Sequence, residues 1–353
     1  MDLNRIFMKN ATPTKVGGQA ILEGIMMRGS RALAVGIRLP NGDIHLTCEP
    51  LKAPGAWKKV PIVRGVVSFI SSLVTGTSVL MYGAEVLEAA IGEEGGEVEK
   101  PGKFDAWLEA KFGKDASFTF AMVLSVVLAV LMVVGIFIIL PTFIVSAAQK
   151  MGITNVFALN LFEGILRIVM FVAYIAIISM MPDIRRTFEY HGAEHKTIHC
   201  YENGLELTPE NAQSFYTLHP RCGTSFMMFV MIISLLIFSF MGWPNIFVRV
   251  ISRLLLIPVI AGISYELLQW TGRHSNFRVK ALSMPGILLQ KVTTREPNLE
   301  ELEVAIAATK MVLPSHENAD VPVEYWVGVQ KPDGTMIKNE EETNAYIARK
   351  NKG

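Results

Sequence analysis

The sequence predicts a mostly α-helical, polytopic membrane protein with a small β-hairpin element. Three observations carry this. Apolar residues make up 51% of the 353 and charged residues only 18%, against about 25% charged in soluble chains. The stretch from Ala116 to Gln149 holds no charged residue, well beyond the roughly 20 apolar residues that cross a bilayer. Asn41-Gly42 sits between two segments of Val, Ile and alternating polar residues, which is a hairpin signal. The net charge of +1 gives no reason to expect a nucleic-acid partner. Three cysteines, Cys48, Cys200 and Cys222, are too few and too scattered for a disulfide framework.

Residues 1–60 read as a cytoplasmic segment. Met1–Lys15 has no apolar core and so no signal peptide. The glycine-rich motif Gly17–Gly29 follows, expected as a tight loop, then a hairpin of Ala32–Leu39 and Ile44–Leu51. Residues 61–90 are uncharged over Gly65–Ala84 but diluted by Gly, Ser and Thr. They read as a re-entrant or protein-buried helical pair broken near Thr75-Gly76, with a fifth full span as the alternative. Residues 91–117 form an acidic connector.

Residues 118–182 hold two spans. The first is Phe118–Ala147; the second begins near Leu159 and takes in Glu163 and Arg167, four apart and able to pair. Residues 183–223 form a histidine-rich cytoplasmic segment. Residues 224–271 hold two more spans, Phe226–Phe240 with Trp243 as interfacial anchor, and Val250–Trp270. The last carries Arg253, expected to snorkel from one end, and Glu266, a costly intramembrane carboxylate. Residues 272–353 are a cytoplasmic segment and tail, with a surface helix at Leu299–Met311 and a second hairpin around Lys331-Pro332-Asp333-Gly334. Arg185, Arg186, Arg273, Arg278 and Lys280 follow spans closely. The positive-inside rule then puts both termini and the 183–221 loop on the cytoplasmic side of a cell membrane.

The chemistry concentrates in Phe188–Glu202. His191, His195 and His199 are spaced by four, so one helix face carries all three. Pro182 opens this helix and Asn203-Gly204 stops it. His191-x-x-Glu194-His195 is the inverted zinc-protease pattern: two imidazoles share one ion, and Glu194 acts as general base on a water. Glu266, near the inner end of the last span, is the expected third ligand. Further ligand candidates are His199, Glu202, His219 and Cys222; Glu23, Arg28 and Arg221 are substrate-binding candidates. The plainer readings stand beside these. An interfacial helix can spend its histidines on lipid headgroups or Glu202, Glu266 can pair with Arg221 or Arg273, and Cys200 and Cys222 can be inert small residues.

Gly17–Gly29, Tyr190–Glu202, His219–Phe226 and the run Pro285-Gly286, Gln290 and Thr293–Pro297 together resemble the bacterial YqhQ-like family of integral membrane proteins. The resemblance runs from about residue 15 to 310, and the chain after Val312 reads as a lineage-specific tail. The family is of unknown activity and commonly labelled a predicted metal-dependent enzyme. That label rests on the same histidine motif and adds no independent weight.

The preferred reading is a metal-dependent hydrolase at the inner membrane interface. His191, His195 and Glu266 hold a divalent ion, with zinc preferred, and Glu194 activates water. The bilayer is one partner and a membrane-associated peptide or lipid is the substrate. The alternatives are a transporter or channel component using the same cluster as an ion path, and a membrane scaffold without catalysis.

Overall fold

A computed structural model describes residues 6, 12–52, 55, 59–93, 114–150, 152, 155–242, 245–274, 276–318 and 320–352. Most of the acidic connector, most of Met1–Lys15 and the anchor Trp243 lie outside the described residues. The strands are β1 (Gly17–Ile21), β2 (Gly24–Arg28), β3 (Ala32–Arg38), β4 (Ile44–Pro50), β5 (Trp326–Gln330) and β6 (Met336–Lys338). The helices are α1 (Val63–Glu93), α2 (Lys114–Val134), α3 (Leu140–Lys150), α4 (Val156–Ile178), α5 (Pro182–Glu202), α6 (Pro209–Gln213), α7 (Gly223–Ser239), α8 (Ile246–Thr271), α9 (Phe277–Thr293), α10 (Leu299–Glu317) and α11 (Glu340–Lys352). The protein is thus mostly helical, with one β element. Two compact units emerge. One is Met1–Ala90, Ile175–Val230 and Pro258–Gly353; the other is Ile91–Tyr174 and Met231–Ile257.

The first unit is built on an antiparallel sheet in the order β1-β2-β3-β4-β5-β6. Both expected hairpins are present. Gly42, at φ +86°, takes the turn conformation that favours glycine between β3 and β4. The sheet is nevertheless larger than two hairpins. Gly17–Gly29, expected as a loop, is the β1–β2 hairpin, and the tail beyond Val312 supplies β5, which pairs with β4 from Ile44↔Gln330 to Cys48↔Trp326.

Burial on both faces explains the apolar run in β3. Ala32 and Ala34 join the core shared with α5 and α10, while Leu33, Val35 and Ile37 pack with Val79 and Leu87 of α1 on the other face. Side chains alternate across a strand, so small residues admit two close helices on one side and large ones meet a single helix on the other. Helix α10 is therefore not the surface helix expected from the sequence. Leu302, Val304, Ala305, Ala308 and Val312 are fully buried. Its start is a capping box, with Asn298 Oδ1 accepting from Glu301 N–H at 2.9 Å and Glu301 Oε2 accepting from Asn298 N–H at 2.8 Å.

Helix α1 also differs from expectation: it runs unbroken through Thr75-Gly76. Its glycines are contact points rather than breaks. A Cβ at Gly65 would meet Gly262 and Tyr265, one at Gly76 would meet the Gln19 side chain, and one at Gly83 would meet Ile21.

Among the described residues, four helices are long and apolar enough to cross a membrane: Val63–Gly92, Leu124–Lys150, Val156–Ile178 and Phe247–Thr271. Gly223–Ser239 is apolar but shorter. In the second unit α2 passes through a π-helical turn, Gly135–Ile139, into α3. Large apolar side chains such as Leu131, Phe143 and Ile165 are exposed there, as lipid contact requires. Its interior holds a polar cluster. Glu163 pairs with Arg167 as expected, but Arg253 does not snorkel: it is 4% exposed and bonds the same carboxylate.

Candidate metal centre

Helix α5 carries the histidines because its ends are fixed and its middle is gripped. Pro182 occupies the first turn, where its missing N–H costs nothing. Gly204, at φ +70°, turns the chain just after the end. Midway, the Gly192 backbone lies so close to Arg295 that a Cβ would sit 2.0 Å from its carbonyl oxygen, and Arg295 N–H donates to Phe188 O at 2.9 Å. The face of α5 that holds the histidines is thereby set against the end of α9 and the 214–222 loop. Buried Gln290 of α9 holds that loop by the backbone of His219, accepting from its N–H and donating to its C=O, both at 2.8 Å.

Three ligand atoms converge. One nitrogen each of His191 and His195 and the Cys222 sulfur lie within 4.8 Å of one another. His191 Nδ1 bonds Thr293 O at 2.8 Å and His195 Nδ1 bonds Thr217 O. A carbonyl only accepts, so both Nδ1 atoms carry the proton and both Nε2 atoms keep a lone pair. His191 Nε2 is 3.1 Å from Cys222 Sγ, and the buried His195 Nε2 has no protein partner among the described residues. A second nitrogen tied to a carbonyl is the usual support of a metal-binding histidine.

Cys222 immediately precedes α7, and its sulfur accepts from Thr224 N–H at 3.4 Å and Thr224 Oγ at 3.2 Å. Burial pushes the His195 imidazolium down to about 4, opposed by Cys222, so this ring is a neutral donor at ordinary pH. The residues present therefore fit a divalent ion with two imidazoles, one cysteine sulfur and a fourth position left for an exogenous group.

The remaining candidates are placed as follows. Glu194 is buried on the side of α5 that meets β1, where Oε1 accepts from Gly18 N–H at 2.7 Å. Burial raises its carboxyl, while His191 and the Gly18 bond pull it back. Glu266 is not brought to the pair: Arg64 of α1 takes both its oxygens, and Ile62 N–H donates to one at 3.2 Å. That partner is neither Arg221 nor Arg273. His199 Nε2 bonds Leu218 O at 3.0 Å, and its ring lies 4.7 Å from that of His219. Glu202 is occupied by Arg221 and by Thr14 N–H. His219 is buried beside them, its imidazolium held well below the usual range by burial. Glu23, in the β1–β2 turn at φ +51°, pairs with Arg186, not with Arg28, which is exposed at the end of β2.

Residues 60–315 match the family described as "Protein of unknown function (DUF1385)". The chain is also 34% identical over 311 residues to the "Uncharacterized protein YqhQ" of Bacillus subtilis (strain 168), covering 86% of this chain and 94% of the relative. This chain belongs to that YqhQ-like family. No solved structure matches it.

Within this family member, sequence reasoning did not single out the Thr217 and Thr293 carbonyls, the Gln290 clamp or the buried Lys196, which bonds Glu296 and Gln213 O. Backbone acceptors leave no trace in residue type. In the sequence, Gln290 and Glu296 are visible only as parts of the run that carries the family resemblance.

Proposed function

We propose that this multi-pass membrane protein is a metal-dependent hydrolase whose site faces the cytoplasmic membrane interface. The observation that carries the reading is the turning of two carbonyl-anchored imidazoles and a helix-capping sulfur toward one point. His191, His195 and Cys222 would hold the ion. A mixed nitrogen and sulfur set suits zinc. Bound there, the ion would acidify water for attack on a carbonyl or phosphoryl centre. Glu194, adjacent in sequence and shielded from solvent, is the proposed proton acceptor, and its substrate is a membrane-associated peptide or lipid. Elemental analysis of purified protein beside His195→Ala and Cys222→Ser tests this. About one ion per chain in the parent and loss in both variants is expected; full occupancy in both variants overturns the ligand set.

A second reading is favoured by the 3.1 Å contact between Cys222 Sγ and His191 Nε2. A thiol beside an imidazole that is oriented by a third group, here Thr293 O, is also the arrangement of a cysteine nucleophile. Activity that survives chelation but is abolished by alkylating Cys222 would select it over the metal reading.

A further inference from the structure

Helix α1 is apolar on two faces. Val79 and Leu87 turn one face to the sheet, where they pack with Leu33, Val35 and Ile37. Ile70, Leu73, Val74 and Met81 form a second stripe at helical spacing, 36–66% exposed. An exposed row of large apolar side chains marks an interaction surface. On an interfacial helix of a membrane protein, the headgroup and acyl boundary of the bilayer covers such a row.

Beside this stripe lies a groove of about 570 Å³, within the size range of small-molecule sites. It belongs entirely to the first unit. Leu73, Val74 and Met81 of the stripe line it, together with Val35 of β3 and Tyr346 of α11. The Tyr82 and Tyr346 rings, edge-on with centroids 5.6 Å apart, join α1 to α11. Three side chains belong to both the stripe and the groove, so the groove is continuous with whatever covers the stripe. Charge does not choose the occupant. Arg349 and Lys350 also line the groove, but Arg349 pairs with Glu85 at 2.8 Å and Lys350 with Glu49 at 2.8 Å. Walls of this kind select a chain of methylenes rather than a headgroup.

We propose that this groove binds one acyl chain of a membrane phospholipid, drawn from the bilayer that covers the outer stripe of α1. The family match ends at residue 315, so α11 contributes to the groove from outside it. The inference is independent of the metal centre.

Native mass spectrometry of the full chain in nonionic detergent tests it. Phosphatidylglycerol is titrated in one arm and phosphatidylethanolamine in another. Glycerophosphoglycerol, the first headgroup without its acyl chains, is the control. One lipid per chain should bind saturably, with similar affinity in both arms, and the control should not bind. Thr77 and Ser78 line the groove from exposed positions of α1, so Thr77→Trp and Ser78→Trp fill it with little strain on the fold. Each should weaken binding at least about tenfold, the loss of about two buried methylene groups. Leu131→Trp, on the exposed surface of α2, should leave it unchanged. No saturable binding, unchanged affinity in both groove variants, an equal loss in Leu131→Trp or a strong preference for the anionic lipid overturns the proposal. So does a dimer of the chain that the groove variants abolish, because the occupant is then a second copy.

Discussion

Glu194 and Cys222 divide the candidate chemistry between them. The carboxyl of Glu194 is buried and accepts one backbone hydrogen bond, from Gly18. A glutamine can accept that same bond, so Glu194→Gln should keep fold and metal while removing the proton acceptor. The expected loss of turnover is about 10²–10⁴-fold, the contribution of a positioned general base; near-normal turnover would leave Glu194 a structural residue. Gln290 acts one step back. Gln290→Ala removes two buried hydrogen bonds to the His219 backbone, which should cost about 1–3 kcal/mol. The loop carrying Thr217 O and Cys222 would loosen, so zinc affinity, read by competition with a chromophoric chelator, should fall although no ligand has changed. The histidine spacing made half of this site legible. Glu266 did not follow, because a carboxylate in a span advertises need of a partner without saying which, and here the partner is Arg64.

At the scale of elements, pH acts on the sheet through His45. This β4 residue is buried, bonds the Tyr82 hydroxyl at 2.7 Å and has its pKa lowered from 6.5 to about 4 by burial. A neutral native imidazole means that the unfolded chain takes up its proton first. Stability is therefore kept above pH 6.5 and lost as pH falls toward 4, by about 3 kcal/mol at most. Thermal melts at pH 7 and pH 5 should show a smaller acid loss in His45→Gln than in the parent; equal losses would free His45 of this role. Packing gives a second test. Gly192→Ala should destabilise by at least about 1–3 kcal/mol through collision with Arg295 O. Gly223, where an added Cβ would meet nothing within 4 Å, should tolerate alanine far better. These contacts explain what the sequence hid. Asn41-Gly42 announces its turn, but Gly17, Gly18 and Gly24 dilute β1 and β2 below any strand signal. Glycine and threonine in α1 suggested a break because close approach and flexibility draw on the same residues. Helix α10 buries Ala305, Ala307 and Ala308 beside Leu302, Val304, Ile306 and Val312, so its inward residues wrap most of the helix and leave no single apolar stripe to mark an inward face.

For the whole molecule, strand pairing constrains the membrane crossings. β4 and β5 are hydrogen-bonded neighbours, so residues 44–50 and 326–330 lie on one side of the bilayer and the crossings between them are even in number. Helix α5 packs on the same sheet core through Tyr190, Ala193 and Ile198, so the count is even on each side of it as well. Among the described residues, the candidates before α5 are α1, the α2–α3 helix and α4; after it they are α7 and α8. The second half of α1 covers the sheet through Val79, Tyr82, Val86 and Leu87, which leaves α2–α3 and α4 as the first pair. Helix α8 is long enough to cross, so α7 must cross too, short as it is. We propose four crossings among the described residues, with α1 held at one face. We propose the side from charge: Arg185, Arg186, Arg278 and Lys280 flank the sheet-bearing segments, and the positive-inside rule assigns such segments to the cytoplasm. The three native cysteines are buried, so single cysteines introduced at the exposed Glu210 and Glu296 can be read against a low background. A membrane-impermeant maleimide should leave both unlabelled in intact cells and label both after permeabilisation. Labelling of both in intact cells would invert the orientation and move the candidate metal centre outside. Labelling of only one would break the parity argument itself, because α5, α6 and the 294–298 segment belong to a single core.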